Sequence, residues 1–212
     1  AAQLYYNGGG GSGKKPAVEN DEFRIRHHFQ YLALSGGVLN DQAIHVIDVC
    51  RAALNANPLY AFGQSSAEGR RFEYGDTHTN YQVIYKYPND VNVVVQQMSV
   101  GTTSGGVCAR FFGELGTAEA NYSGGVFITG PNKWDSGNNN ALSDADALKG
   151  KSFIDSIVSG KYINQIEAGC NSTLAAIMGR EACYSGKKVT WKDMVSGKQR
   201  YGDQPDLKQF LK

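Results

Sequence analysis

The sequence predicts one α+β domain over residues 1–212, with helices at both ends and a mostly antiparallel β-sheet of five or six strands between them. Residues 79–100 alternate apolar and polar side chains around the turn Pro88-Asn89-Asp90, which is typical of a β-hairpin. Helix-capping patterns lie on both sides of this strand-rich middle. Neither an internal repeat nor a clear linker divides the sequence, so we expect a single folding unit.

The first part of the sequence predicts one strand, a glycine-rich loop and two helices. The expected bounds are a strand over 2–6, a loop over 7–20, a helix over 22–34 capped by Asp21, and a helix over 38–54 closed by Pro58. The pair Gly36-Gly37 separates the helices, because glycine is common just past a helix C-terminus.

The middle predicts a meander of strands, and the last part predicts helices. The expected strands are 59–67, 79–87, 91–100, 107–114, 117–122 and 125–129, followed by a polar loop over 130–150. The expected helices are 153–159 opened by Ser152 with Asp155, one that Asn171 or Ser172 caps and that ends at Tyr184 before Gly186, and a short one capped by Thr190 with Asp193. The tail over 200–212 is polar and expected to be peripheral.

The segment from Gly8 to Lys15 nearly matches the phosphate-binding loop G-x-x-x-x-G-K-[ST]. Lys15 stands where a Ser or Thr would bind Mg²⁺, and Pro16 follows where a helix should continue. No βαβ unit surrounds the glycines, which argues against a dinucleotide fingerprint as well. We therefore interpret the segment as a flexible loop.

Composition excludes several classes of protein. Lys plus Arg is 21 and Asp plus Glu is 20, so the net charge is +1, which leaves no excess of cations for nucleic acid or for an anionic membrane surface. No apolar run approaches the ~18 residues of a transmembrane helix. The four cysteines, Cys50, Cys108, Cys170 and Cys183, show no C-x-x-C pairing, so we expect free and mostly buried thiols.

A polar stripe lies on the predicted second helix. Asp41, His45 and Asp48 are spaced i, i+4 and i+7, within ~60° of one another at 100° per residue. Apolar neighbours flank the stripe, so we expect a buried helix whose polar groups are paired or face a wet cavity. Histidine exchanges its proton near neutral pH and a neighbouring carboxylate can orient it. Both a self-satisfied Asp–His–Asp cluster and a proton-transfer site fit this pattern.

The spacing from Gly36-Gly37 through Asp41 and His45 to Asp48 resembles the motif that opens the second domain of the Gfo/Idh/MocA oxidoreductases. Other segments are similar to this family in the same order along residues 1 to about 195. They are the helix 22–36, the pieces Tyr74-Gly75-Asp76 and Tyr87-Pro88-Asn89, the run Phe112–Gly124 with its FG-x-x-G-x-x-E and YSG pieces, and the run Ser172–Trp191.

The resemblance implies a fold and a chemistry. The fold is an open, mostly antiparallel sheet with helices on one face, whose free face usually builds a homodimer or tetramer. The chemistry is NAD(P)-dependent oxidation or reduction at a hydroxyl carbon of a sugar, inositol or related polyol. By position, Asp41 matches the acidic residue that contacts substrate, His45 matches the acid/base histidine, and Asp48 would orient His45. The candidate substrate-binding residues are Arg26, His27, Tyr74 and His78, and no metal site is expected.

The cofactor is expected outside this sequence. The family's glycine-rich turn and its catalytic lysine in a Glu-Lys-Pro context are not found here, so NAD or NADP would bind a preceding N-terminal Rossmann domain. The chain would then be the C-terminal half of a longer enzyme and inactive alone. The alternative is a stand-alone carbohydrate-binding or scaffolding module without redox chemistry. No signal peptide is visible, so the sequence does not place the protein in a compartment. A cytoplasmic location is favoured, and periplasmic export is the alternative if upstream residues carry a signal.

Overall fold

A computed structural model describes residues 2–7, 20–67, 73–99, 106–137, 141–197 and 205–210. The strands are Ala2–Asn7 (β1), Tyr60–Ser66 (β2), Asn80–Lys86 (β3), Asn92–Met98 (β4), Cys108–Gly113 (β5), Gly116–Asn121 (β6), Val126–Ile128 (β7), Trp134–Asp135 (β8) and Val189–Thr190 (β9). The helices are Asp21–Arg26 (α1), Leu32–Ser35 (α2), Val38–Asp41 (α3), Ile44–Leu54 (α4), Ala141–Ser159 (α5), Ile166–Ser185 (α6) and Trp191–Ser196 (α7), with 3₁₀ turns at His28–Gln30 and Leu207–Phe210.

The strands form one open sheet in the order β8-β7-β6-β5-β1-β4-β3-β2-β9. Neighbouring strands are antiparallel except for β1 and β4, which run parallel. The predicted α+β class with a mostly antiparallel sheet is therefore confirmed. The expected count of five or six strands is wrong, because the described sheet has nine. The N-terminal strand β1 joins the six strands of the middle, and the two-residue edge strands β8 and β9 are too short to show an alternating pattern.

Helices α4 and α6 cover one face of the sheet and close the core against it. The inward side chains of β3 and β4 alternate with outward ones, as the period of a strand requires. Tyr85 on β3 is fully buried, and its hydroxyl donates a hydrogen bond to the carbonyl of Ala175 on α6 at 2.9 Å. Gly179, one turn further along α6, gives the Tyr85 ring the space it occupies. The predicted placement of helices on one face is confirmed.

The first predicted helix is broken into three pieces. Residues 22–34 form α1, the 3₁₀ turn His28–Gln30 and α2, so the expectation of one continuous helix is wrong. Asn20, rather than Asp21, caps α1, because its side-chain oxygen accepts a hydrogen bond from the Phe23 N–H at 2.9 Å. Asp21 instead pairs with Arg24 one turn later, at 3.2 Å.

The C-terminal helices are longer than predicted. The supposed cap Ser152 lies inside α5, which already begins at Ala141 and passes through exposed Gly150 without a break, so the loop predicted over 130–150 ends early. Ser172 is buried within α6 and binds Asp48 rather than capping the helix, which starts at Ile166. The αL residue Gly186 after α6 and the capping box of Thr190 with Asp193 on α7 are confirmed.

Helix α5 presents an uncovered apolar face. Phe153, Ile154, Ile157 and Val158 lie on one side of the helix, and Val158 is 81% exposed.

Among the helices that the structure describes, none is long and apolar enough to cross a membrane. All four cysteines are free thiols, three of them buried, as predicted, and Cys170 is exposed. The glycine-rich segment 8–15 lies outside the described residues.

Candidate functional site

Two consecutive left-handed glycines turn the chain between α2 and α3. Gly36 has φ of 74° and Gly37 has φ of 82°, a region that residues with a Cβ rarely adopt. A Cβ on Gly37 would lie 3.2 Å from the Tyr81 hydroxyl, so this side chain would have to shift by a few tenths of an ångström to admit one. The segment before this turn is held by Asp76, whose carboxylate accepts a hydrogen bond from the Leu32 N–H at 2.7 Å.

The helix predicted over 38–54 breaks between Asp41 and His45, so that expectation is wrong. The Ala43 N–H bonds to the carbonyl of Val38, five residues back, and the His45 N–H bonds to Gln42, three residues back. Gln42 has φ of −115°, outside the usual helical value. The sequence there contains good helix formers, which is why no pattern predicts the break.

The candidate site consists of Asp41 with His45 and His28, which lie near enough for their charges to act on the Asp41 carboxyl. Burial raises the pKa of the Asp41 carboxyl, and the charges of His28 and His45 act against that rise. The His45 ring lies 5.3 Å from the Tyr122 ring, which stands at the turn after β6. A carboxyl group and imidazole rings so placed can bind hydroxyl groups and exchange a proton with one of them.

The polar face of α4 is open to solvent in this chain. His45 and Asp48 are exposed, and so are the flanking Val49 and Ala52. The expectation of a helix buried on all sides is therefore wrong, although the opposite side, with Ala43, Ile47 and Cys50, is in the core as predicted.

Asp48 contacts α6. Its carboxylate accepts a hydrogen bond from the Ser172 hydroxyl and lies 4.0 Å from the Arg51 side chain. Arg51 in turn donates to the same Ser172 hydroxyl at 2.8 Å. These contacts tie α4 to α6, and a role of Asp48 in orienting His45 stays a prediction.

Arg26, His27 and Tyr74 lie around α1. Arg26 is exposed and forms an ion pair with Glu22 at 2.9 Å. The His27 ring stacks on Phe23 with centroids 4.1 Å apart and meets the buried Tyr74 ring edge-on at 5.3 Å. These three candidates thus form an ion pair and an aromatic cluster at the start of the domain.

His78 belongs to a separate polar cluster on the helix-covered side of the sheet. Its ring stacks on Tyr184 with centroids 4.1 Å apart, and its Nδ1 lies 2.6 Å from the Ser65 hydroxyl. The backbone N–H of His78 donates to the Tyr184 hydroxyl at 2.8 Å. The structure therefore brings Asp41 and His45 together and gives His78 other partners.

Two residues that the sequence reasoning did not assign to the site take part in it. The charge of His28, in the 3₁₀ turn, acts on Asp41, and Arg180 on α6 donates a hydrogen bond to the Gly36 carbonyl at 2.9 Å. His28 is thirteen positions before Asp41, and no helical or strand period connects them. His28 and Arg180 come near the motif only through the tertiary fold.

A cleft of about 1100 Å³ lies on the other side of the glycine turn, between α2, α3, α6 and α7. Its walls are apolar, with Ile44, Ile177 and Met194 among them, and Glu181 and Lys187 stand among its polar residues. Neither Asp41 nor His45 lines this cleft. The large concavity and the polar motif are therefore two different features that share the turn between them.

The described residues do not by themselves fit a metal or a dinucleotide. Among them, no group of three or more His, Cys, Asp or Glu side chains is arranged to hold a metal ion. The parallel strands β1 and β4 are separated in sequence by β2 and β3, so in this part of the chain they do not form the strand–turn–helix unit that binds a pyrophosphate.

The open sheet with this motif at its helical side defines a class of protein. Residues 16–119 match the model of the GFO/IDH/MocA C-terminal domain. This range includes the whole segment from Gly36 to Asp48. This part of the chain is similar to the C-terminal domains of the Gfo/Idh/MocA oxidoreductases. No curated protein matches the chain.

Solved structures share the fold at low sequence identity. An oxidoreductase from Agrobacterium radiobacter, in complex with NAD+, L-tartaric acid and magnesium, is 13% identical, covers 91% of this chain and 57% of its own, and has a TM-score of 0.65. Myo-inositol 2-dehydrogenase from Lactobacillus plantarum is 16% identical, with coverages of 89% and 56% and a TM-score of 0.63. Aldose-aldose oxidoreductase from Caulobacter crescentus, complexed with glycerol, is 16% identical, with coverages of 89% and 54% and a TM-score of 0.60. The chain therefore spans just over half the length of these structures.

Proposed function

We propose that this chain is the substrate-binding domain of an NAD(P)-dependent oxidoreductase that acts on a hydroxyl carbon of a sugar, inositol or related polyol. The observation that carries the proposal is the cluster of Asp41, His45 and His28 at the glycine turn of a Gfo/Idh/MocA C-terminal domain. Polyhydroxylated or hydroxy-acid compounds also occur in the names of the structures with the same fold.

In this proposal His45 is the acid/base for the hydroxyl proton of the substrate. Its ring is exposed and stands beside the Tyr122 ring, which leaves its nitrogens accessible. An imidazole can take a proton from a hydroxyl as that carbon loses hydride and can return it in the reverse direction. This chain would supply only the acid/base group. The hydride would pass between the substrate carbon and a nicotinamide that is bound elsewhere.

Asp41 would fix the substrate. A partly buried carboxylate next to two histidines accepts hydrogen bonds from neighbouring hydroxyls of a polyol and so sets which carbon faces His45. Arg26, His27, Tyr74 and His78 stay candidates for contacts with more distant parts of the substrate. Asp48 stays a candidate for orienting His45.

The nucleotide would bind a preceding domain, so this chain alone would be inactive. The described residues do not fit a dinucleotide, and the solved structures with this fold are almost twice as long as the part they share with it. NAD or NADP, when bound there, supplies the hydride acceptor or donor.

The outer face of the sheet would form a homodimer or tetramer. Outward-pointing Phe62, Met98 and Phe112 are 45%, 38% and 49% exposed, and they alternate with glutamines and the Arg110–Glu119 ion pair at 2.6 Å. Apolar side chains of this size on a strand face favour burial against a matching surface. Sedimentation velocity of the native protein tests this, and a monomer at micromolar concentration would contradict it.

The first test is the intact mass of the native gene product from its own cell. A chain longer by a nucleotide-binding domain supports the proposal, and a native chain of about 23 kDa would contradict it in favour of a binding or scaffolding module. In the longer protein, His45→Ala is expected to lower NAD(P)-linked polyol turnover by ~10²–10⁴-fold with the fold intact. Unchanged turnover would refute the role of His45.

Asp41→Asn separates binding from proton transfer in the same assay. Because the amide keeps the shape of the carboxyl but accepts hydrogen bonds more weakly, we expect a higher KM or a poorly oriented substrate. Wild-type constants would remove Asp41 from the site. Thr190→Ala, far from the site on α7, serves as the control for a general loss of stability.

A further inference from the structure

An ion pair on α6, with Arg180 buried and Glu181 partly exposed at the wall of the cleft, lies next to the glycine turn. Arg180 is 4% exposed, and its Nε and Nη2 donate to the carboxylate of the next residue, Glu181, at 3.2 Å and 3.1 Å. Its remaining Nη1 donates to the Gly36 carbonyl at 2.9 Å. The ion pair therefore joins α6 to the turn through a backbone atom.

The Gly36 carbonyl receives a second donor. With the Asn40 amide nitrogen assigned toward Gly36 from the surrounding donors and acceptors, this side chain donates to the Gly36 carbonyl at 3.1 Å and accepts a hydrogen bond from the Ile177 N–H of α6 at 3.2 Å. A Cβ on Gly36 would lie 3.0 Å from the Nη1 of Arg180. The absence of a side chain at Gly36 thus lets the guanidinium approach the backbone this closely.

The orientation of Asp41 depends on this turn. Two adjacent glycines sample many backbone conformations unless other groups hold them. The helix that follows, α3, has four residues, and so short a helix does not hold itself in one orientation. Asp41 ends that helix, so its direction depends on the turn together with the buried Val38 and Leu39. His45 lies just beyond the break, at the start of α4.

An apolar side chain of similar size would fill the same space at a lower free-energy cost of desolvation than a charged pair. Burying charges costs free energy, and replacing a buried ion pair by apolar residues is often neutral or stabilising. Packing alone therefore does not explain an arginine here, whereas a donor aimed at the Gly36 carbonyl does. We propose that Arg180 is a positioning residue, which fixes the turn and thereby sets Asp41 and His45 in the geometry of the site.

The test compares Arg180→Met with Met178→Ala in this chain. Met178 lies on the same helix, is fully buried and faces the sheet, so its truncation weakens α6 without touching the turn. We record the thermal midpoint and follow the carboxyl carbon of Asp41 and the ring of His45 by NMR as pH changes. Arg180→Met is expected to move the Asp41 midpoint toward its ordinary value, because a loosened α3 hydrates the carboxyl. Met178→Ala is expected to lower the thermal midpoint and leave both titrations unchanged.

The proposal is overturned if Arg180→Met lowers the thermal midpoint as Met178→Ala does and leaves the Asp41 and His45 titrations as in the wild type. If Arg180→Met does not fold, Glu181→Gln and Arg180→Lys decide. Glu181→Gln keeps an acceptor for Arg180 but removes the charge that orients it, so an unchanged Asp41 midpoint would again overturn the proposal. Arg180→Lys can reach the Gly36 carbonyl and is expected to restore part of the shift.

The significance of this role for catalysis rests on the proposed function, and the two can fail separately. In the longer enzyme, Arg180→Met is expected to lower kcat more than it raises KM, and Arg180→Lys to recover part of kcat. A wild-type enzyme without polyol turnover refutes the proposed function, whereas the NMR titration still decides the role of Arg180.

Discussion

One neighbouring residue, Tyr85, decides whether replacing Gly179 by alanine raises or lowers the stability of the protein. In an exposed helix interior, alanine is more stable than glycine by about 1 kcal/mol. At Gly179, however, an added Cβ would lie 2.0 Å from the Tyr85 hydroxyl and 2.8 Å from its Cζ. The Tyr85 ring must move, which costs about 1–3 kcal/mol in overpacking. The same movement strains the hydrogen bond from the Tyr85 hydroxyl to the Ala175 carbonyl. Leaving this buried group unpaired would cost about 1–3 kcal/mol of stability.

We therefore expect Gly179→Ala to lower the free energy of unfolding by about 3 kcal/mol, which for a chain of this size is a thermal midpoint lower by about 6–12 °C. Urea denaturation followed by circular dichroism measures it. Gly169→Ala is the matched control, because the same substitution on the same helix meets nothing within 4 Å. It should stabilise the protein by up to about 1 kcal/mol.

The pair of residues can be tested by a double-mutant cycle. Tyr85→Phe removes the atom nearest to the new Cβ, so Gly179→Ala should cost less in that background, although the Cζ contact keeps some of the loss. Equal effects of Gly179→Ala and Gly169→Ala, or additive effects with Tyr85→Phe, would refute the packing of Tyr85 against α6.

Three further outcomes follow from burial and capping. Because folding raises the pKa of Asp41 above 3.8, ionisation of this carboxyl lowers the stability of the protein as pH rises through the raised value. Asp41→Asn should therefore stabilise the protein against urea at pH 7 and leave its stability unchanged at pH values well below 3.8. An equal gain in stability at both pH values would contradict this. Cys170 is exposed, whereas burial raises the pKa of Cys50 and Cys183 to about 12, so native iodoacetamide labelling should modify Cys170 first, and equal labelling of the buried thiols would be inconsistent. Thr190→Ala removes a cap worth about 1 kcal/mol, and hydrogen exchange should rise at α7; unchanged exchange there would show that the capping box is not limiting.

Strands β3 and β4 were predictable because one side of each is buried in the core and the other is not. Tyr81, Val83 and Tyr85 are buried on alternate positions of β3, and the pattern shows this without tertiary information. Helix starts were less predictable. Ser152 and Asp155 have the spacing of a cap, yet the same spacing occurs inside α5, where Asp155 pairs with Lys151 instead.

The site was predictable only in its local part. The spacing of Asp41 and His45 is written in the sequence, and the structure keeps them near each other. The break between them was not predictable, because Gln42 and Ala43 both favour a helix and the interruption depends on packing. His28 and Arg180 reach the motif through chain folding, which no local period records.

The position of β1 has a consequence for how the chain folds. This strand lies between the two wings of the sheet, which are β5 to β8 on one side and β4, β3, β2 and β9 on the other. Ala2 pairs with Val93 of β4 and with Phe111 of β5. During synthesis β1 leaves the ribosome long before either partner exists, so it stays unpaired until both wings are made. Closing such distant contacts is slow, and we expect the insertion of β1 to be a late step. Deleting the first seven residues should leave two smaller sheets, each with an open edge that invites pairing with another chain.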